Sequence, residues 1–276
     1  MKNLIPLKKS NFKILCSDID GTLLSNQNDV SNFTVSEIAR IKNVLRIILV
    51  SARMPQSMTY LQERLGLGEE PIICYNGALI MEGENEIFSR TMPLELVEGI
   101  YREAKKYNIK LGLYFKTEWY VETDSARVQK ETRDTRATPV FRATATTLSD
   151  WKVRNVSAHK IMLMGTKEST DQIFPLLVKK FGEQLHLYRS NDTLIEVAPK
   201  SVSKLSAIKL LLQPGQSLME VIAFGDNYND LEMIQSVGCG VAVKNARAEV
   251  KVVADEVSLK NTEDGVAHWI QQNLIF

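Results

Sequence analysis

The chain has 276 residues, of which 44% are hydrophobic and 24% charged, and its formal net charge is +1. Such a length allows one large domain or two modest ones, with a core that needs no disulfide or metal staple. The near-zero charge gives no overall field to attract nucleic acid or an anionic membrane surface, and no run of about 18 apolar residues predicts a membrane span.

Strands and helices alternate in the first third of the chain. Apolar and β-branched runs predict strands at 13–16, 46–50, 71–74 and 78–81. Amphipathic spacing predicts helices at 34–43 and from Pro55 to Gly66 or Gly68, since proline is favoured at the first position of a helix. The pair Asn76-Gly77 predicts a turn between the last two strands.

The middle of the chain has a different pattern. It predicts a helix at 94–107, strands at 110–115 and 119–122, a strand at 160–164, a helix at 170–181 and a strand at 185–189. Residues 124–150 are rich in Thr, Arg and Ala and have weak periodicity. We interpret this stretch as a second α/β unit inserted into the first, with boundaries near residues 84 and 190.

The last third returns to alternation. It predicts strands at 193–198, 221–224 and 241–243, and helices at 203–212, at 230–235, from about 246 and at 264–274. Alternating strands and helices favour a parallel sheet covered by helices on both faces. The predicted fold is therefore α/β: a Rossmann-like parallel-sheet core from residues 1–84 and 190–276, and an inserted α/β unit from residues 85–189.

The strongest chemical signal lies at the end of the first strand. An apolar run delivers Asp18 and Asp20, and Gly21 then allows the chain to turn. Side chains on a strand repeat with period two, so both carboxylates leave on the same side if the strand continues. Adjacent carboxylates repel each other unless a proton or cation lies between them, and Mg²⁺ suits an all-oxygen site. A solvated turn is the competing interpretation, but it does not explain the preceding buried strand.

A second acidic segment follows the predicted strand 221–224. Gly225 turns the chain, and carboxylates follow at Asp226 and Asp230. Ligands in open α/β sheets bind beyond the carboxyl ends of the strands. Asp226 is therefore expected to complete a cation site with Asp18 and Asp20, while Asp230 favours the first turn of the next helix.

Two further residues are ambiguous when considered alone. Ser51 follows the strand 46–50, where its hydroxyl and the next backbone N–H groups could hold phosphate oxygens, but a simple helix cap is the commoner case. Lys204 begins the helix 203–212 and is either a surface lysine or a compact charge that neutralises a phosphate and a nucleophile.

In this order, the four segments resemble the haloacid dehalogenase-like superfamily. The inserted unit and the segments 75–78, 225–230 and 263–267 narrow the resemblance to the Cof-type phosphatases. The resemblance implies that residues 1–84 and 190–276 are the catalytic core and that residues 85–189 are a cap that selects the substrate. This chain has Ser51-Ala52-Arg53 where the family usually has Thr-Gly-Arg. The resemblance implies a Mg²⁺-dependent phosphatase that hydrolyses a small phosphorylated metabolite, a sugar phosphate or similar, through an aspartyl-phosphate.

The resemblance also implies roles for the acidic residues. Asp18 is the nucleophile and a metal ligand, and Asp226 is a second carboxylate ligand. Asp20 is the general acid and base, and its backbone carbonyl also binds the metal. Asp230 supports the metal site without binding the ion, and Lys204 acts in catalysis by neutralising charge.

Phosphate contacts are implied for a second group. Ser51, Ala52, Lys204 and Asn229 would hold the phosphoryl group, and Arg53 would lie at the edge that faces the cap. Together the sequence predicts an enzyme, a phosphoric monoester hydrolase.

Three other functions could explain the same motifs. A signalling receiver domain also carries a phosphorylatable Asp and a Lys, but it is about half as long and has no cap or Asp-x-Asp-Gly-Thr run. A phosphomutase, or a regulator that binds a phosphometabolite without turnover, would use the same fold. The oligomeric state and the identity of the substrate are not readable from the sequence.

The cellular compartment rests on weak signals. Cys16, Cys74 and Cys239 are few and odd in number, which indicates reduced thiols. The run 12–16 is too short for the apolar part of a signal peptide. A cytoplasmic protein is therefore expected, with a small metabolite as its partner and neither nucleic acid nor membrane.

Overall fold

The computed structural model describes residues 12–275. The strands are β1 (Ile14–Asp18), β2 (Arg46–Val50), β3 (Ile72–Cys74), β4 (Leu79–Glu82), β5 (Asn85–Ser89), β6 (Lys110–Phe115), β7 (Glu118–Val121), β8 (Val140–Phe141), β9 (Lys160–Met164), β10 (Leu185–Asn191), β11 (Leu194–Pro199), β12 (Val221–Gly225), β13 (Cys239–Ala242) and β14 (Glu256–Val257). The α-helices are α1 (Asn32–Ile41), α2 (Gln56–Leu65), α3 (Leu94–Lys106), α4 (Ala126–Thr135), α5 (Thr144–Arg154), α6 (Lys167–Phe181), α7 (Lys204–Leu211), α8 (Leu231–Ser236), α9 (Ala248–Val253) and α10 (Gly265–Asn273).

The first sheet has eight strands in the order β14-β13-β12-β1-β2-β3-β4-β5. It is parallel from β14 to β3 and antiparallel at β3–β4 and β4–β5. Strands β1 and β12 are buried along their whole length, as their continuous apolar runs predict. Because β1 lies between β2 and β12, the carboxyl ends of these three strands meet where the chain order reverses. Ligands of open α/β sheets bind at such points.

The second sheet has six strands in the order β10-β11-β9-β6-β7-β8. All its pairs are antiparallel except β7–β8. Helices α3, α5 and α6 cover one face and share an apolar cluster with it. On the opposite face, Tyr114, Trp119 and Met162 belong to the same apolar cluster as Tyr75 of the first sheet's unit. This unit, the cap, therefore turns the face opposite α3, α5 and α6 toward the first unit, the core.

The predicted fold class is confirmed, but the change from one sheet to the other falls later than residues 84 and 190. Strand β5 still pairs with β4 in the first sheet, and β11 pairs with β10 and β9 in the second. The alternation at 193–198 identified a strand but carried no information on which sheet it joins. Helices α4 and α5 occupy much of 124–150, where no regular element was predicted.

None of the helices among residues 12–275 combines the length and the apolar character that a bilayer crossing requires. The lysine-rich residues 1–11, which were considered for a targeting signal, lie outside the described residues.

Candidate active site

The acidic residues from the two halves of the core come together at the carboxyl end of the first sheet. Asp18 ends β1, Asp226 directly follows β12, and Asp230 ends a short helical turn before α8. One carboxylate oxygen from each of the three lies within 4.8 Å of the others. The expected pairing of Asp18 with Asp226 is therefore present, although 208 positions separate them in sequence order.

Lys204 lies at the centre of this cluster rather than on the surface. Its Nζ atom is 2.5 Å from Asp18 Oδ1 and 2.6 Å from Asp230 Oδ1, and its side chain is fully buried. Burial would lower the pKa of Lys204, but the charges of Asp18 and Asp230 outweigh that effect and raise it. The ammonium group is therefore held charged against the carboxylate of Asp18.

Asp230 uses both of its oxygens within the protein. Oδ1 accepts a hydrogen bond from Lys204, and Oδ2 accepts one from each of the backbone N–H groups of Asp226 and Asn227, both at 3.0 Å. These bonds fix the loop that carries Asp226 and fix the lysine. Asp230 thereby links Lys204 to the Asp226 loop, and its support of a metal site stays a prediction.

Asp226 is oriented by the turn that follows β1. The hydroxyl of Thr22 donates to Asp226 Oδ1 at 3.1 Å. Gly21 has a φ angle of +80°, and a Cβ atom there would lie 2.6 Å from Asp226 Oδ2. Glycine at position 21 is thus required by both backbone conformation and space. The side chain of Asn245 also donates to the Gly21 carbonyl at 2.7 Å.

Asp20 does not join the acidic cluster through its side chain. The strand ends at Asp18, and a tight turn over Ile19–Leu23 begins directly after it. The period-two argument that placed Asp18 and Asp20 on the same side fails for this reason. In the structure, the carboxylate of Asp20 accepts two hydrogen bonds from Arg53, at 2.7 and 2.8 Å.

The guanidinium group of Arg53 has a protein partner for each of its five N–H donors. Besides Asp20, it donates to the carbonyls of Ser57 and Asp134 and to the hydroxyl of Tyr60, at 3.1 to 3.3 Å. Asp134 is on cap helix α4, so the prediction that Arg53 lies where the core faces the cap agrees with its position. A phosphate contact by Arg53 requires the release of at least one present partner.

The predicted phosphate-binding loop follows β2. Ser51 is buried, and its hydroxyl accepts the N–H group of Arg53 at 3.2 Å. The N–H group of Asn76 donates to the Ser51 carbonyl, and that of Tyr75 donates to the Arg53 carbonyl. These bonds fasten residues 51–53 to the segment after β3. Helix α2 itself begins only at Gln56.

Asn229, predicted to hold phosphate, is tied to a residue to which sequence reasoning gave no role. Its Nδ2 atom donates to Asn76 Oδ1 at 2.9 Å, across 153 positions of sequence. Asn76 has a φ angle of +56°, a conformation that asparagine tolerates better than most residues. The Asn76-Gly77 pair marked the turn, but nothing local indicated that its side chain would reach the strand ends.

The electrostatics of the cluster favour a bound cation. Burial raises the pKa of Asp18, and the charges of Asp230 and Asp226 add to this rise against the opposing effect of Lys204. Burial, with the nearby charge of Asp230, raises the pKa of Asp226 to about 6. Two buried carboxylates and one partly buried carboxylate therefore lie together with a single ammonium group, which contacts only Asp18 and Asp230. Their oxygen atoms are the ligands that a hard divalent cation prefers. The residues present fit such an ion.

The cap also brings a charged group to this edge that was not predicted. Lys160, the first residue of β9, places Nζ 3.4 Å from the carbonyl oxygen of Ala52 in the predicted phosphate loop. No local feature of a single lysine at the start of an apolar strand predicts that its side chain contacts a loop of the other unit.

The chain is similar in sequence and in structure to known phosphatases and hydrolases. A "Putative phosphatase" of Haemophilus influenzae is 33% identical over 263 residues, covering 93% of this chain and 96% of that protein. The 5-amino-6-(5-phospho-D-ribitylamino)uracil phosphatase YitU of Bacillus subtilis is 27% identical, covering 94% of this chain and 96% of the relative. A haloacid dehalogenase-like hydrolase from Bacteroides thetaiotaomicron has a solved structure that superposes with a TM-score of 0.85 at 28% identity, covering 95% of this chain and 99% of the other.

The model of the haloacid dehalogenase-like hydrolase family matches residues 15–270, which include both halves of the core and the whole cap. The resemblance predicted from the sequence motifs is confirmed, and with it the prediction of an enzyme of the hydrolase class. The chain belongs to the haloacid dehalogenase-like hydrolase family.

Proposed function

We propose that this hydrolase is a Mg²⁺-dependent phosphatase that removes phosphate from a small metabolite through an aspartyl-phosphate on Asp18. The observation that carries the proposal is the buried contact of Asp18 with Lys204 beside Asp226. A carboxylate can attack phosphorus if nearby positive charge offsets the repulsion between the two anions. Lys204 supplies one such charge at 2.5 Å.

The first step forms a bond between an oxygen of Asp18 and phosphorus, and it breaks the bond from phosphorus to the leaving oxygen. Asp20 gives a proton to that oxygen, which requires its carboxyl group to leave Arg53 and turn toward the substrate. In the second step Asp20 takes a proton from water, the water oxygen bonds to phosphorus, and Asp18 is released. General acid and base help of this kind contributes about 10²–10⁴-fold to a rate.

The remaining predicted residues position the phosphoryl group. The hydroxyl of Ser51 and the backbone of Ala52, both after β2, would contact the phosphoryl oxygens together with the side chain of Asn229 and the ammonium group of Lys204. A divalent cation, when bound by Asp18, Asp226 and the backbone carbonyl of Asp20, supplies further positive charge for the phosphoryl oxygens. Asp230 keeps Lys204 and the Asp226 loop in place.

The substrate class is inferred from a relative of this chain. YitU of Bacillus subtilis is named for a substrate with a phosphorylated ribityl chain. We therefore assign this chain a sugar phosphate or a similar hydroxylated phosphate ester. The cap, from the end of β5 to β11, would select among such esters by covering the strand ends.

The metal requirement tests the proposal directly. Release of inorganic phosphate from 4-nitrophenyl phosphate and from a panel of phosphorylated metabolites is expected with Mg²⁺ and lost in excess chelator. Asp226→Ala is expected to raise the Mg²⁺ concentration for half-maximal activity by more than about tenfold, because it removes a ligand.

Asp192→Ala, a change in an exposed carboxylate of the cap, is the matched control and should leave that concentration unchanged. Full activity in chelator would contradict the metal assignment. Absence of phosphate release from every substrate would contradict the phosphatase itself.

A further inference from the structure

An ion pair between a buried lysine and a partly buried glutamate lies on the face of the cap sheet that turns toward the core. Lys160 of β9 and Glu196 of β11 place Nζ and Oε1 3.4 Å apart, with side chains that are 8% and 27% exposed. The ammonium group also lies 4.7 Å from the ring centre of Tyr114 and 3.4 Å from the carbonyl oxygen of Ala52. The pair therefore stands directly over the predicted phosphate loop.

The hydrogen bonds of Lys160 are long for so buried an ammonium group. Lys160 and Lys204 are the buried lysines among the residues that the structure describes. Lys204 has partners at 2.5 and 2.6 Å, whereas the two oxygen partners of Lys160 are both at 3.4 Å. A buried charge with such weak partners is costly. The donors of Lys160 can therefore accept a better partner that enters between cap and core.

Glu196 supplies an acceptor beside this donor. Its Oε2 atom accepts a hydrogen bond from the Ser190 hydroxyl at 2.7 Å. Burial tends to raise the pKa of Glu196, but the charge of Lys160 and the bond from Ser190 outweigh it, and the pKa is lowered. An ionised carboxylate and an ammonium group side by side can accept from one hydroxyl group and donate to another.

A cavity between cap and core, lined by the cross-strand neighbour of Glu196, has room for the rest of a small molecule. It has a volume of about 270 Å³ and is lined on the cap side by His186 and Tyr188, and on the core side by Asn229, Tyr228 and Lys204. Tyr188 is the direct neighbour of Glu196 in the β10–β11 register. The cavity thus extends from Tyr188, the cross-strand neighbour of Glu196, to Lys204 in the acidic cluster.

We propose that Lys160 and Glu196 recognise hydroxyl groups of the leaving group, so that the enzyme selects phosphate esters of small polyhydroxylated alcohols. This inference rests on the proposed phosphatase function and assigns its specificity to two named residues. Binding exchanges the long contacts of Lys160 for bonds to the ligand. An ester without hydroxyl groups leaves the pair buried and poorly satisfied, and that difference generates selectivity.

The test compares each hydroxylated substrate with analogues in which single hydroxyl groups are replaced by hydrogen. We measure kcat/KM for the sugar or polyol phosphate that the wild type hydrolyses fastest and for its deoxy analogues. The wild type is expected to prefer the hydroxylated ester by about 10–100-fold at one or two positions. Lys160→Met and Glu196→Gln are each expected to reduce that ratio at least fivefold at the same position.

The matched control is the double change Lys110→Met and Glu122→Gln, which removes an ion pair of 2.9 Å elsewhere on the cap. It should leave the preference unchanged. Glu196→Gln keeps the shape of the side chain, so it tests the inference even if Lys160→Met does not fold.

The outcomes separate the inference from the proposed function. A preference that survives in both variants, or a loss that is equal for hydroxylated and deoxy esters, overturns the inference alone. Hydrolysis of 4-nitrophenyl phosphate by a wild type that shows no preference for hydroxylated esters also overturns it and leaves the phosphatase standing. Absence of phosphate release from every ester overturns the proposed function, and the inference falls with it.

Discussion

Asp18 and Asp20 are two positions apart, and the fold gives their carboxyl groups different partners. Asp18 is buried against Lys204, whereas Asp20 is half exposed and bonded to Arg53. The first arrangement suits a fixed nucleophile, because an attacking group must be held in one geometry. The second suits a proton carrier, since Asp20 can reach the substrate only after it leaves Arg53.

This division predicts different consequences for the two amide substitutions. Asp18→Asn should abolish turnover of every phosphate ester, because the amide cannot attack phosphorus. Asp20→Asn should spare the first step with 4-nitrophenyl phosphate, whose leaving group needs no proton. With an alkyl ester the same change should slow that step by about 10²–10⁴-fold.

Rapid quench of Asp20→Asn with both esters, followed by detection of protein-bound phosphate, measures the difference. The aryl ester should leave a long-lived phosphoenzyme, because no base activates water for the second step. Normal turnover of both esters by Asp20→Asn would rule out its role as acid and base. Substantial turnover by Asp18→Asn would rule out the nucleophile.

The sequence predicted part of this site for a definite reason. Asp18, Ser51 and Asp226 each follow a buried strand, and the ends of neighbouring parallel strands must lie together. The pairing of Asp20 with Arg53 was not predictable, because the strand ends at Asp18 and Asp20 lies in the turn that follows. Lys160 was missed because it is a single lysine at the start of an apolar strand, and only the packing of the cap on the core brings its side chain to Ala52.

The helices and strands that were not predicted correctly from the sequence were missed for the same physical reason. Helix α4 buries only Val128 and Thr135 and so has no apolar stripe for a periodicity argument to find. Strand β11 was predicted, but it was assigned to the wrong sheet, because the sequence of a strand does not determine which strands it pairs with. The helices that bury a broad face, such as α3, were located within a residue.

A buried histidine of the cap lies where strand β5 leaves the core. His159 Nε2 lies 2.9 Å from the Ser89 hydroxyl, and Nδ1 accepts the N–H group of Lys116 at 3.2 Å. Its ring stacks on Tyr75 and Phe115 with centroids 5.3 and 5.4 Å away. Burial, with the positive charge of Lys116, lowers the pKa of His159 to about 3.

This histidine predicts a loss of stability in acid. Its folded pKa is below the unfolded value of 6.5, so the stabilisation is present above pH 6.5 and is lost as pH falls toward 3. Between pH 7.5 and 4.5 the loss is about 3 kcal/mol at 1.36 kcal/mol per pH unit below 6.5.

Urea unfolding at the two pH values measures this loss. His159→Phe should be less stable at pH 7.5 but should lose about 3 kcal/mol less on acidification than the wild type does. Ser89→Ala keeps the imidazole and should retain the wild-type pH dependence. An identical acid loss in His159→Phe and wild type would show that other groups cause it.

At the scale of the whole molecule, the cap touches the core again through the end of α4. The Asn28 side chain donates to Asp134 Oδ1 at 3.2 Å, and Arg136 forms an ion pair of 3.0 Å with Asp29. The guanidinium of Arg136 also lies 4.0 Å above the ring of Tyr60. These contacts lie beside the bond from Arg53 to the Asp134 carbonyl, so closure at this end is linked to the residue that holds Asp20.

Arg136 therefore controls how readily this end of the cap separates from the core. An exposed ion pair and a cation–π contact together contribute about 1 kcal/mol, which corresponds to about a fivefold change in the opening equilibrium. Arg136→Ala should accelerate amide hydrogen exchange about fivefold in α4 and in residues 28–30, because exchange there follows local opening. Arg133→Ala, an exposed arginine on the same helix, is the control and should leave those rates unchanged. Equal exchange in both variants would mean that the hydrogen bonds of Asn28 and Arg53 alone hold the cap closed.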